Sequence, residues 1–171
     1  MKVESADVER FRRALGSFAV GINVITFRSS DGEPRGMTAT AMCSVSVDPL
    51  LVLVCVNRST RTHDEILAGG RFGVSILGLG GHSISKQCAR PGADKTLDSS
   101  WLVPDAECAT PVLRDAIAHL DCAVHDTYAA GTHTVILGRV EAVGVADGGE
   151  PLIHFRGCYR QLANTRQGSD S

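Results

Sequence analysis

Residues 36–62 read GMTATAMCSVSVDPLLVLVCVNRSTRT. Two runs rich in β-branched and small residues, Thr38–Val47 and Leu50–Val56, flank an Asp48-Pro49 pair that turns the chain. This is the grammar of an antiparallel strand pair. The second run leads through Asn57 into Ser59, Thr60 and Thr62, and Thr62 with Glu65 three residues later has the form of a capping box at a helix start. Gly69-Gly70 ends that short helix.

The same pattern continues outward on both sides. Asn23–Phe27, Phe72–Leu77, His119–Ala129, Thr134–Ala146 and Leu152–Gln161 are expected strands, bounded by Asp31-Gly32, Gly69-Gly70 and Asp147-Gly148-Gly149. An N-terminal helix begins at a Ser5 cap, with Asp7 and Glu9 in its first turn. Its apolar face is Val8, Phe11, Leu15 and Phe18. A further helical turn is expected over Ser83–Ala89. Strands without a helix between each pair disfavour a doubly wound parallel sheet. The expected fold is mainly β, a closed antiparallel Greek-key barrel with a few peripheral helices. Pro91–Pro111, which holds the only tryptophan, Trp101, reads as a long irregular loop.

With 171 residues the chain suits one domain, with a core over 8–162 and a flexible tail at 163–171. Seventeen basic against nineteen acidic residues give a net charge of −2, which supplies no field for nucleic acid. The longest apolar run, Leu50 to Val56, is far too short to span a membrane. The charged start MKVESADVERFRR has no signal-peptide core, so the expected location is the cytoplasm. The six cysteines form no Cys-x-x-Cys pair and lack zinc spacing; they read as free thiols, and no metal site is expected.

Gly78-Leu79-Gly80-Gly81-His82-Ser83 nearly spells a dinucleotide fingerprint. Ser83 stands at its last position, no parallel βαβ unit surrounds it, and a turn into a short helix is the better reading. The stronger candidate is the opening segment. Thr38 and Thr40 would share one strand face and Ala39 and Ala41 the other, leaving room for a flat aromatic ligand against the backbone. The hydroxyls near residue 60 and a helix start would suit a phosphate. Ordinary strand threonines and a simple helix cap account for the same residues.

Five fragments in order raise the specificity: RALGSFAVGINVIT, the 36–62 stretch, GRFGVSIL, GTHTVILGRVEAV and PLIHFRGCYRQL. Together they resemble the flavin reductase family, the NAD(P)H:flavin oxidoreductases of two-component flavin-dependent monooxygenases, which have an FMN-binding split-barrel fold. The resemblance covers about residues 8 to 162. It implies that Thr38, Ala39, Thr40, Ala41 and Ser44 lie against the flavin ring, with Cys55, Val56 and Asn57 on the neighbouring strand. Ser59, Arg61, Thr62, Cys88, Ala89 and Arg90 would surround the ribityl phosphate. His133 would act near the nicotinamide as the catalytic residue, and Phe155 would lie close to both rings. In three places the chain departs from the family pattern: Thr132 stands where Asp is usual, and Cys88 and Thr96 each stand where Phe is usual.

The implied activity is reduction of FMN or FAD by NADH, or by NADPH, with release of reduced flavin to a separate monooxygenase. The cofactors carry the electronic work, and the protein aligns them. Backbone N–H groups or His133 would stabilise the developing charge; without the resemblance, His133 reads as a hydrogen-bonded strand histidine. A homodimer is a family expectation. The alternatives are a flavin carrier or store without NAD(P)H activity, and an all-β binding module with no flavin site.

Overall fold

The computed structural model describes residues 5–163. Along them run α1 (Ser5–Gly16), β1 (Val20–Gly21), β2 (Asn23–Arg28), β3 (Pro34–Ala39), β4 (Met42–Val47) and β5 (Leu50–Asn57). There follow α2 (Arg61–Gly69), β6 (Arg71–Leu77), α3 (His82–Ala89), β7 (Ala116–Ala130), β8 (His133–Val145), β9 (Ile153–Phe155) and β10 (Cys158–Arg160). Seven strands form one antiparallel sheet in the order β3-β2-β6-β7-β8-β5-β4, and β1-β9-β10 form a small second sheet. The fold is mainly β, as expected. None of the described helices is long and apolar enough to cross a membrane.

The edges of the large sheet, β3 and β4, are consecutive in the chain and separated only by Thr40 and Ala41. Three Cα steps reach at most about 11 Å. Seven flat strands would put the edges roughly 29 Å apart. The sheet therefore curls enough to bring the end of β3 close to the start of β4. The expected single strand Thr38–Val47 is split for the same reason, because the chain leaves one edge at Ala39 and joins the other at Met42. The expected Leu152–Gln161 strand is likewise a hairpin, turned by Arg156 (φ 48°) and Gly157 (φ 77°). A positive φ suits Gly157 because it has no Cβ.

Inside the curl, Ile25, Phe27, Val54, Val56, Phe72, Val74 and Ile136 form the main core, with Ile66 of α2 joining them. Strand alternation explains the membership: Ile25 and Phe27 point inward, while Val24 joins a second cluster with Leu77, Ile84, Cys88, Leu97 and Leu113. Gly138 is required by this packing, since a Cβ there would lie 2.4 Å from the Phe72 ring. Thiol burial varies. Cys88 and Cys122 are sealed in, and burial pushes their thiols up to about 11 and about 12, whereas Cys43 and Cys158 are exposed.

Two local expectations shift. Thr60, not Thr62, caps α2, its hydroxyl accepting from the His63 N–H (3.4 Å). Glu65 instead accepts from the Ser30 N–H (2.8 Å) and Arg61 Nε (3.0 Å). Ser5 is already helical at the limit of the described residues, and α1 buries none of its residues. Its apolar face stays open, with Phe11 64% exposed, and Phe18, expected on that face, falls beyond the helix end at Gly16 and is 72% exposed. Gly78–Ser83 is the expected turn into a helix. The long loop holds one 3₁₀ turn, Ser99–Trp101. Of the expected tail, residues 164–171 lie outside the described residues.

Candidate cofactor site

Three segments meet where the sheet edges approach. The Cys55 N–H donates to the Ala41 carbonyl (3.2 Å), tying the Thr40–Ala41 link to β5. Two residues on, Asn57 pairs with His133 of β8, and the Arg58 N–H donates to the Thr132 carbonyl (3.0 Å). Asn57 then shapes the following turn. Its side-chain oxygen accepts from both the N–H and the hydroxyl of Ser59 (2.9 Å each), and its carbonyl accepts from the Thr60 hydroxyl (2.8 Å). The turn ends in the first residues of α2, where Thr60 satisfies the His63 amide and the amides of Arg61 and Thr62 remain as helix-start donors.

A cleft of about 780 Å³ opens at this turn. Asn57 to Thr62 (without Arg58) line one wall, Pro91–Lys95 the other, and Phe27 and Arg35 complete it. Its cations are held in place. Arg35 binds Asp31 and Asp94 (3.1 Å each), and Arg61 binds Glu65 (3.0 Å) and Asp31 (3.6 Å). Bonds from the Ser29 hydroxyl, the Glu33 N–H and Arg35 hold the Asp31 carboxyl at about 2. Glu65 is held below the usual range by the Ser30 N–H and Arg61, and Asp94 by Thr96. Lys95 donates through Nζ to the Cys88 carbonyl (2.5 Å), and its partial burial lowers the ammonium pKa. Helix-start amides, the Ser59 hydroxyl and two guanidiniums around one cleft suit a phosphate ester.

On the other side of the Thr40–Ala41 link is a mostly apolar hollow of about 440 Å³. Thr40, Ala41, Met42, Cys43 and Leu53 form its floor, and Leu15, Gly16, Phe18, Val20 and His154 rise around it. The small side chains of Thr40, Ala41 and Cys43 leave space for a flat ring beside polar main-chain groups. The Ala41 carbonyl of the hollow and the Asn57 turn of the cleft are thus joined through Cys55–Asn57 of β5.

The expected site residues divide accordingly. Thr40 and Ala41 line the hollow; Asn57, Ser59, Arg61 and Thr62 line the cleft. Ala89 and Arg90 are exposed at the end of α3, just before Pro91. His133 is exposed beside Asn57, with Nδ1 2.9 Å from the Thr132 hydroxyl. Cys55 is half-buried, and Ser44 is exposed farther along β4 at an irregularity in its pairing. Thr38 and Thr40 do not act as a matched pair: Thr38 donates its hydroxyl to the Ser85 carbonyl (2.7 Å), while Thr40 sits in the strand break.

The side chains of Ala39, Val56 and Cys88 are committed to the cores, so those residues can offer a ligand only backbone groups. In particular Cys88, the replacement for a bulkier residue, borders Gly36 and Leu97 in the interior and does not widen an open pocket. Phe155 is half-buried in β9 under the Arg156 guanidinium (5.1 Å to the ring centroid) and lines neither cavity. Its neighbour His154 lines the hollow instead, because adjacent strand residues face opposite ways. Sequence reading also passed over Arg35 and Lys95, whose part depends on a loop far along the chain folding across β3.

The family profile described as a flavin reductase like domain matches residues 15–163. The chain belongs to the flavin reductase family. The flavin reductase (NADH) of Kitasatospora aureofaciens is 38% identical over 90% of this chain and 81% of its own length. Among solved structures, the Streptomyces globisporus C-1027 NADH:FAD oxidoreductase in complex with NAD and FAD fragments is similar at a TM-score of 0.86 and 34% identity, covering 97% of this chain and 99% of that one. The styrene monooxygenase flavin reductase of Pseudomonas putida S12 is similar at a TM-score of 0.80 and 33% identity, covering 90% and 97%. This family member carries the ring hollow and the helix-start cleft within the matched residues.

Proposed function

We propose that this chain is an NAD(P)H-dependent flavin reductase, with NADH the favoured donor, that reduces free FMN or FAD and supplies the reduced flavin to a separate flavin-dependent monooxygenase. The observation that carries this reading is the junction of the Thr40–Ala41 link, the Asn57–Thr62 turn and His133, with a mostly apolar hollow at the link and phosphate donors at the turn. The names of the relatives point the same way, since they include NADH-dependent reductases and a monooxygenase component.

When bound, nicotinamide and flavin supply the hydride chemistry. The chain's own part is to hold and orient them. Arg61, Ser59 and the first amides of α2 bind the flavin phosphate. Thr40 and the link backbone bind the ring, and His133, held by Thr132, presents its free edge to the reacting face as the catalytic residue. Because the site is open to solvent, reduced flavin can leave.

In this reading the curled sheet closes as a Greek-key split barrel within one domain spanning 1–171, and the protein works in the cytoplasm. It acts as a homodimer whose partner copy covers the open apolar face of α1 and the chain just after it, where Phe11, Leu15 and Phe18 are more than half exposed. The test is anaerobic mixing of the protein in catalytic amounts with NADH and excess FMN or FAD. Multiple-turnover bleaching of the flavin absorbance is the expected result. A stoichiometric flavin complex that NADH cannot bleach would mean a carrier instead.

A further inference from the structure

A second cationic cleft, of about 800 Å³, lies between α1 and the β9–β10 turn. Arg10, Arg12, Arg13 and Arg156 line it, with Glu9 the one carboxylate in its lining. Among the described residues none of the four guanidiniums forms an ion pair, unlike Arg35 and Arg61. Four like charges around one concavity repel one another unless an anion joins them. The guanidinium fork suits phosphate oxygens in particular.

Position narrows the choice of anion. The cleft shares Gly16 with the ring hollow, and the Arg156 N–H donates to the Gly16 carbonyl (2.8 Å), so the two spaces adjoin at Gly16. It shares no residue with the helix-start cleft assigned to the flavin phosphate. A molecule whose ring enters the hollow can therefore extend its phosphates past Gly16 to the arginines, away from the helix-start cleft. We propose that the Arg10–Arg12–Arg13–Arg156 cleft is a second anion subsite that takes the pyrophosphate of a dinucleotide cofactor whose ring lies in the Thr40–Ala41 hollow. This rests on the flavin reductase reading. The pyrophosphate comes from NADH or from FAD, and the experiment separates them.

The full-length protein is first assayed for NADH-dependent reduction of FMN, which tests the underlying reading separately. The Arg13→Gln/Arg156→Gln double variant is then compared with wild type using NADH and using reduced nicotinamide riboside, which has no phosphate. The expected result is a KM for NADH raised about tenfold or more, with the KM for the riboside and the Kd for FMN within about twofold. The difference between wild type and variant should shrink as salt is added. An FAD affinity that falls about tenfold while FMN and NADH are unaffected would assign the same subsite to FAD. No change in any of these, or equal losses for NADH and the riboside, overturns the proposal. Arg114→Gln, an exposed arginine outside the cavities, is the control for a general change in charge.

Discussion

The wall and the rim of the curled sheet handle their histidines in opposite ways. In the wall, His119 of β7 is 4% exposed and sits in a chain of hydrogen bonds. The Ser75 hydroxyl donates to its Nδ1 (3.0 Å), its Nε2–H donates to the Thr110 hydroxyl (3.3 Å), and Thr110 donates to Asp121 (3.0 Å). Asp121 also accepts from the Ala109 N–H (2.8 Å) and from Arg71 (3.4 Å). At the rim, His133 is exposed, and among the described residues its one side-chain hydrogen-bond partner is Thr132. A serine, a histidine and an aspartate in one network suggest hydrolytic chemistry, yet no substrate can reach them. Burial makes such a network rigid and expensive to break. Chemistry needs the reverse, a group left partly unsatisfied where ligands arrive.

Replacing Asp121 by Ala should have the largest effect, a loss of about 3 kcal/mol in unfolding free energy. Denaturant titration measures it, and flavin reduction per folded molecule should be unchanged. Normal stability with lost activity would move the network into the chemistry and erase the contrast. Next is His133→Ala, expected to slow hydride transfer about tenfold or more while flavin affinity changes by less than about twofold. Stopped-flow kinetics with an unaltered rate would return His133 to the status of a strand residue. Thr40→Val should weaken flavin binding by about 1 kcal/mol without a comparable loss of stability. Equal affinity in a fluorescence titration would leave the link as mere connection.

The smallest effect concerns pH. Burial holds the His119 pKa below its ordinary value near 6.5, with Asp121 partly opposing the shift. Between the folded and unfolded values the unfolded chain binds the extra proton. Stability should therefore be fully present above about pH 6.5 and fall as pH drops through the folded value. The Asp31 carboxylate is lowered from 3.8 to about 2, so its contribution is lost only in that more acidic window. Denaturation midpoints at several pH values would show the two windows; a midpoint that rises on going from neutral to mildly acidic conditions contradicts the His119 assignment.

Much of the molecule could be read along the chain because local chemistry set it. Asp48-Pro49 does separate two paired strands, Gly70 at φ 65° does end α2, and the glycines at 78–81 do lead into a short helix. Thr40 and Ala41 line the hollow, and Asn57, Ser59 and Arg61 line the cleft. The misreadings arise where distant elements compete for the same residue. Thr62 and Glu65 have the spacing of a cap, but Glu65 is recruited by Ser30, thirty-five positions earlier. Val8, Phe11 and Leu15 form an apolar helix face, with Phe18 left past the helix end, but periodicity says nothing about whether a body lies beneath it.

Composition and pattern were enough to establish an antiparallel β protein with few helices, because turn residues and β-branched runs act over a few neighbours. The family likeness rests on the same linear order. The break at Thr40–Ala41, the meeting of that link with Asn57 and His133, the sealing of His119 and the gathering of Arg10, Arg12 and Arg13 with Arg156 all join residues far apart in the chain. Those arrangements depend on how a seven-stranded sheet curls and which side chains it traps, and curvature is a property of all the strands together.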